Sequence, residues 1–272
     1  MKIAVYIKKV ALRSDGRIEK LLSELSGAGV GLYRIEGMGE VQDDTCMALS
    51  FGGDGTFLSC AHRVAEAGVP ILGVNLGRLG FLSECRLEDV KDAVLGGRYS
   101  VEERRMLEVG CPGTDIPGFW PYALNEAGLY RMNAGMIGVD VSLNGAQLPT
   151  YWADGLLVAT SSGSTAYNLS AGGPICLPDA DVELITPVAP HNLNLRPLVV
   201  PAASELLLRA KSRSGRVTLA LDNRSYAIPA DAVVTIREAP FRLRKVITGK
   251  SNFIEALRSR FFWGQDVRNT NE

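Results

Sequence analysis

Histidine is almost missing from this 272-residue chain, with His62 and His191 alone, so a metal centre built on imidazole has too few donors. Five cysteines, Cys46, Cys60, Cys85, Cys111 and Cys176, form no C-x-x-C pair and leave an odd one over. That argues against a disulfide framework or zinc site and fits a reducing cytoplasm. A surplus of either charge is lacking too: 29 basic against 30 acidic residues give a net of −1, which offers no general attraction to nucleic acid or an anionic membrane. No apolar run is long enough to span a membrane, and the start MKIAVYIKKV has neither an extended apolar core nor a small-residue cleavage site; a soluble, unprocessed chain is expected. No G-x-G-x-x-G follows an apolar strand, which disfavours a dehydrogenase, and no G-x-S-x-G elbow is present for a serine nucleophile.

What is present is 46% hydrophobic sequence, enough for two domains. Residues 1–99 alternate strand and helix patterns. Lys2 to Ile7 is apolar and β-branched; Arg17 to Gly27 sets Ile18, Leu21, Leu22 and Leu25 on one helical face. Strands around Val30 to Ile35, Thr45 to Phe51 and Pro70 to Asn75, and helices over Phe57 to Ala67 and Leu87 to Leu95, complete a parallel sheet of the kind that binds ligands at the carboxyl ends of its strands. Two glycine-rich turns fall at such ends. In LSFGGDGTFL, Leu49 to Leu58, the glycines let main-chain amides converge on an anion at a helix start, a phosphate seat. Asp54 inside it repels phosphate, so it either takes a proton from a hydroxyl nucleophile, helps hold a divalent cation, or merely caps the helix in an Asp-Gly turn. The second turn, NLGRLGFL from Asn75 to Leu82, places Arg78 near the phosphates and Phe81 on a pocket wall, or is a loop with a solvent-facing arginine.

From residue 100 to 251 short strands broken by Gly, Pro and Asn-Gly signals take over. Strands are expected over Arg105 to Gly110, Tyr122 to Arg131, Ile137 to Leu143, Leu156 to Ala159, Leu206 to Ala210, Val217 to Leu221 and Val233 to Arg237. Asn125 and Glu126 interrupt an apolar strand and suit a ribose diol or a bulge. Thr160 to Thr165 is a run of hydroxyls around Gly163 that caps a short helix from Ala166, with the aromatic face of Tyr167 beside Asn168 and Ser170. Ile185 to Pro201 reads as an irregular Pro-rich passage, and Asp222-Asn223-Arg224 as a hairpin turn. Asn252 to Trp263 carries an apolar face of Ile254, Leu257, Phe261 and Phe262, so a terminal helix over 252–272 is expected to pack back on the first domain.

Five blocks in register resemble the NAD kinase family: GGDGT at Gly52 to Thr56, NLGRLGFL at Asn75 to Leu82, NE at Asn125 and Glu126, DGLLVATSSGSTAYNLSAGGP at Asp154 to Pro174, and PHNLNLRPLVVP at Pro190 to Pro201. The resemblance implies an α/β N-terminal domain, Rossmann-like and related to the phosphofructokinase and diacylglycerol kinase folds, with an all-β C-terminal sandwich domain. It implies phosphorylation of the adenosine ribose 2′-hydroxyl of NAD to give NADP, with ATP or another donor such as polyphosphate, and Mg²⁺ as the divalent metal. Carried across, Asp54 is the general base and Gly55 meets the phosphates. Asn125 and Glu126 contact the ribose and nicotinamide side of NAD; Asp154 makes a contact across a subunit boundary in a homodimer or homotetramer. Thr165, Ala166, Tyr167, Asn168 and Ser170 line the adenosine end, and Phe81, Ala189 and Asn223 match further positions. The chain departs from the family pattern at Thr160-Ser161-Ser162-Gly163, where Thr-Pro-Thr-Gly is usual, and at Trp152, where a basic residue often stands. The alternatives kept beside this reading are a lipid or sphingoid-base kinase, which shares the GGDGT turn, and a non-catalytic NAD(P) sensor.

Overall fold

Unbroken apolar runs at Ile3 to Ile7 and Met47 to Leu49, the second continued by buried Ser50 and Phe51, dictate strands buried on both faces, and Lys2–Ile7 and Thr45–Phe51 pair in parallel at the centre of the first sheet. The structure, a computed structural model, describes residues 1–77, 80–249 and 253–261. These form two units, Met1–Glu103 with Leu243–Glu272, and Arg104–Arg242.

In the first unit the sheet runs, in order across it, Gly31–Arg34, Lys2–Ile7, Thr45–Phe51, Ile71–Asn75, Leu243–Ile247 and Ser100–Arg104, with Cys85–Arg86 beside Ile71–Asn75. Ser100–Arg104 and Leu243–Ile247 join this sheet, so the division between units falls at residues 103/104 and 242/243 rather than 99/100 and 251/252. The helix Gly16–Gly27 starts on Asp15, whose carboxylate accepts the Arg17 amide, and buries Ile18, Leu21 and Leu25 against the sheet. Strand order reverses between Lys2–Ile7 and Thr45–Phe51, which opens a crevice at their carboxyl ends. The GGDGT turn leaves the second of these strands. The terminal helix is described over Phe253–Phe261; Asn252, residues 262–272 with Phe262 of its expected apolar face, and Arg78 lie outside the described residues.

The second unit is a sandwich of a seven-stranded and a six-stranded sheet, antiparallel throughout its recorded pairings. Leu206–Lys211 shows the governing pattern: Leu206, Leu208 and Ala210 turn inward, Leu207, Arg209 and Lys211 outward. The inward set meets Val139, Val141, Leu129, Leu156, Val158, Val217 and Leu219 in one core, each fully buried Leu or Val contributing about 1.5–3 kcal/mol. Gly155–Thr160 is buried at every position because both its faces are covered: Leu156 and Val158 face this core, Leu157 and Ala159 a second cluster with Leu184.

Three expectations change. The single strand over Tyr122 to Arg131 divides, because Tyr122–Ala123 pairs with Leu107–Gly110 in one sheet and Glu126–Arg131 lies in the other. The strand expected over Arg105 to Gly110 begins only at Leu107, and a separate strand, Ser100–Arg104, precedes it in the other unit's sheet. The passage 185–201, expected to be irregular, supplies most of Val182–Val188 and all of Leu198–Pro201. Pro187 is tolerated there because pairing to the edge strand stops at Ile185 opposite Leu198, so no partner on that side needs its missing N–H.

Gly163 lies against the backbone of Asn125, and a Cβ there would overlap the Asn125 carbonyl. Gly163→Ala is therefore expected to lower unfolding free energy by about 3 kcal/mol through forced backbone displacement. Gly16→Ala, whose Cβ meets nothing within 4 Å, is expected to leave it unchanged or slightly raised; urea unfolding followed by far-ultraviolet circular dichroism checks both.

Candidate active site

Asp54 is the first residue of the helix Asp54–Val64, and Gly53, not the aspartate, is its N-cap. The carboxylate turns instead to the loop after Ile71–Asn75. Its Oδ2 accepts the Phe81 amide at 2.9 Å, and its Oδ1 accepts those of Leu82 at 3.1 Å and Ser83 at 2.9 Å. Four acceptor positions on an ionised carboxylate less three amides leave one, on Oδ2. That corner faces Arg260, whose Nη1 lies 3.4 Å away. The loop approaches so closely that a Cβ on Gly80 would overlap the Asp54 carboxylate. Lys245 holds the loop from beneath: its Nζ donates to the Phe81 carbonyl at 2.9 Å and pairs with Glu84, while the residue is only 2% exposed. Burial pushes its ammonium down to about 8, against the opposing pull of the Asp54 charge. Among the described residues a Cβ on Gly53 or Gly55 would meet nothing within 4 Å, which leaves the helix N-terminus approachable by an anion there.

In the second unit, the chain crosses from one sheet to the other at Leu124 and Asn125, which frees consecutive amides from sheet pairing. The Asp222 carboxylate takes them: Leu124 at 2.9 Å, Asn125 at 2.8 Å and Glu126 at 3.2 Å. Burial raises the Asp222 pKa, and the three amides oppose that rise. Asp222 adopts φ 50° in its hairpin turn. Beside it a cleft of about 290 Å³ is lined by Glu126, Tyr130, Tyr167, Ala220 and Asp222. Burial, and then the Asp222 charge, push Glu126 up to about 8, while an amide at Tyr167 pulls it down. Its Oε2 has no hydrogen-bond partner among the described residues, and the Tyr130 and Tyr167 rings lie 5.8 Å apart over the same cleft.

The remaining expected residues spread around these two centres. Gly55 follows Asp54 in the helix. Phe81, expected on a pocket wall, stacks on Phe261 at 5.5 Å and meets Phe253 at 5.8 Å. Asn125 is buried beside the corner. Asp154 pairs with Arg131 of its own chain at 2.9 Å. The helix expected from Ala166 is a 3-10 turn over Ser162–Thr165 and one α-turn over Tyr167–Ser170, with Ala166 at the joint. Thr165 and Ala166 are half-buried, Tyr167 and Ser170 exposed. Asn168 is fully buried, donating to the Ser164 and Pro174 carbonyls and accepting from Thr186. Ala189, at φ 47°, and Asn223 are exposed turn residues.

Residues 33–95 match the profile of the ATP-NAD kinase N-terminal domain and residues 124–248 that of the ATP-NAD kinase C-terminal domain. The chain belongs to the NAD kinase family. An NAD kinase of Bacteroides fragilis is 44% identical over 229 residues, 83% of this chain and 79% of that protein. The crystal structure of an NAD kinase from Archaeoglobus fulgidus in complex with ATP superposes with a TM-score of 0.79 at 28% identity, over 95% of this chain and 99% of the other. Yeast NADH kinase complexed with NADH shares the fold, with a TM-score of 0.84 at 23% identity over 99% and 90% of the two chains.

In this NAD kinase fold, Lys245, Glu84, Arg260 and Asp222 belong to the two centres, and sequence pattern alone did not single them out. Only Asp222 had a local signal, since aspartate tolerates φ > 0 and captures nearby amides.

Glu126 gives a pH prediction. Between the ordinary glutamate value and about 8 the folded chain keeps this proton and the unfolded chain has lost it, so stability falls as pH rises through that window. Glu126→Gln removes the titration. Its unfolding free energy is expected to rise relative to the parent chain from pH 5 to pH 8, as measured by urea unfolding at each pH; Glu183, raised in the same direction by burial, is common to both proteins and cancels in the difference.

Proposed function

We propose that this chain phosphorylates the 2′-hydroxyl of the adenosine ribose of NAD at the expense of ATP, giving NADP, with Asp54 as general base. The observation that carries this role is the triple amide grip on Asp54, which leaves one acceptor position on Oδ2 beside an open helix N-terminus. A ribose hydroxyl is a poor nucleophile, and phosphoryl transfer through a loose transition state needs mainly alignment, charge neutralisation and an acceptor for the proton. The amides over Gly53 and Gly55 meet donor phosphates; Oδ2 takes the hydroxyl proton as the new P–O bond to the ribose oxygen forms, the bond from the terminal phosphorus to the bridging oxygen breaks, and ADP leaves. The cleft bearing Glu126, Tyr130 and Tyr167 offers a carboxyl group and aromatic faces to the dinucleotide.

Magnesium, when bound to the donor phosphates, spreads their developing charge. No group of three or more His, Cys, Asp or Glu gathers among the described residues, and in this proposal the cation is carried by the donor phosphates. Assembly as a homodimer or homotetramer, with Asp154 near a subunit boundary, and a cytoplasmic location with its five cysteines free are parts of the same proposal. No helix among the described residues is long and apolar enough to cross a membrane.

A coupled assay for NADP formation tests the reaction. Asp54→Asn keeps the side chain's size and one acceptor oxygen for the Leu82 and Ser83 amides but loses the base, so NAD binding is expected to stay within about twofold while turnover falls roughly 10²-fold or more. Near-parental turnover in that variant would remove Asp54 from the chemistry.

A further inference from the structure

Asp54 has a second neighbour that the proposed reaction must displace. Arg260, near the end of Phe253–Phe261, reaches back to Oδ2, the oxygen with the last acceptor position. Its guanidinium carbon lies 4.7 Å from the centroid of the Phe81 ring, and Phe81 donates its own amide to the same Oδ2. Phe253 and Phe261 flank that ring, and Leu257, 2% exposed, buries the middle of the helix. The arginine is thus carried by a packed helix and supported by an aromatic face, with its N–H edges directed in the plane of the guanidinium.

The contact with Asp54 is an incomplete ion pair. One nitrogen meets one oxygen at 3.4 Å, whereas a charge-assisted N–H···O⁻ bond is about 2.7–2.9 Å and an arginine prefers two of them. The same chain forms the full fork elsewhere: Arg17 grips both oxygens of Asp15 at 3.1 and 2.7 Å. On the Asp54 side the fork is therefore not closed. Beside Asp54, Gly53 and Gly55 have no side chain or neighbour among the described residues in the way of an anion, and an incoming phosphate there offers the guanidinium a second oxyanion to meet.

We propose that Arg260 exchanges between Asp54 and a phosphate group of the donor. With no donor bound it covers Oδ2; a phosphate arriving over Gly53 and Gly55 draws the guanidinium away, uncovers Oδ2 for the acceptor hydroxyl, and is held by the same fork. The exchange links donor arrival to readiness of the base. It breaks one ion pair and forms another, with no covalent change. This inference rests on the assignment of Asp54 as the base.

Arg260→Ala and Arg260→Lys, measured beside the parent enzyme and Asp54→Asn, test it. In Arg260→Ala, the KM for ATP and the dissociation constant of inorganic tripolyphosphate, measured by calorimetry, are each expected to rise about tenfold, the size of one lost charge-assisted contact. Turnover is expected to fall by a similar factor, with the NAD dissociation constant within about twofold of the parent. Millimolar guanidinium chloride is expected to restore part of the Arg260→Ala rate and none of the Asp54→Asn rate, and Arg260→Lys to fall between parent and Ala. Unchanged tripolyphosphate affinity and unchanged KM for ATP in Arg260→Ala would overturn the proposal. So would a uniform loss of NAD affinity, tripolyphosphate affinity and melting temperature without guanidinium rescue, which marks a purely structural arginine. A parent protein that forms no NADP would count against the proposed reaction instead, and the tripolyphosphate comparison would still decide the role of Arg260.

Discussion

Three consecutive amides, those of Phe81, Leu82 and Ser83, converge on the carboxylate of Asp54, and much of the first unit follows from that convergence. Consecutive N–H groups point alternately in an extended chain, so the loop must curl to aim all three at one side chain. The Gly80 amide, donating to the Ser83 carbonyl at 2.8 Å, closes the curl, and the absence of a side chain at Gly80 admits the carboxylate. Deleting the carboxylate would orphan three donors, each costing about 1–3 kcal/mol where water cannot replace the partner. The group assigned to chemistry is thus also the group that shapes its own surroundings. Orientation is set by the fold, and the ligand need not create it.

The second unit uses the same device for a different end. Where the chain leaves one sheet for the other, Leu124, Asn125 and Glu126 have no strand to take their amides, and Asp222 accepts all three. A buried charge so placed is expensive unless hydrogen-bonded, and it has an electrostatic consequence next door. The Asp222 charge adds to burial in disfavouring a second anion at Glu126, which therefore keeps its proton to about pH 8. A carboxylic acid that lines a cleft and has a buried oxygen without a partner among the described residues can donate a hydrogen bond as well as accept one, a wider choice for a ribose diol than a carboxylate offers.

These pairings explain which parts of the molecule were legible in its sequence. Lys2–Ile7, Thr45–Phe51 and Gly16–Gly27 announce themselves because local periodicity and burial coincide. The GGDGT turn was visible as a place where a carboxylate had no business in a simple phosphate cradle. The grip of residues 81–83 was not, since it joins positions 27 to 29 residues apart through backbone amides that every residue possesses. The change of sheet at Leu124 and Asn125 looked like polar residues within one strand, because periodicity does not record which sheet a strand joins. Val182–Val188 was hidden by Pro187, and the early end of the edge-strand pairing that accommodates it is a tertiary fact.

Lys245 and Arg260 lay furthest from view, being brought to Asp54 by a chain that returns to the first unit after completing the second. Their chemistry also shows why the two cations are not interchangeable. Position 245 is enclosed, and a compact ammonium there meets the Phe81 carbonyl and Glu84 while its pKa falls to about 8; a guanidinium would bring in a wide planar group with more donors to satisfy. Position 260 is 28% exposed and stacked on a ring, where a planar guanidinium can lie over the aromatic face and turn its N–H edges to an oxyanion. Burial disfavours the charge of the enclosed cation, and its donors are already taken by the loop. The cation placed to meet a phosphate is therefore Arg260, while Lys245 serves as a donor to the loop.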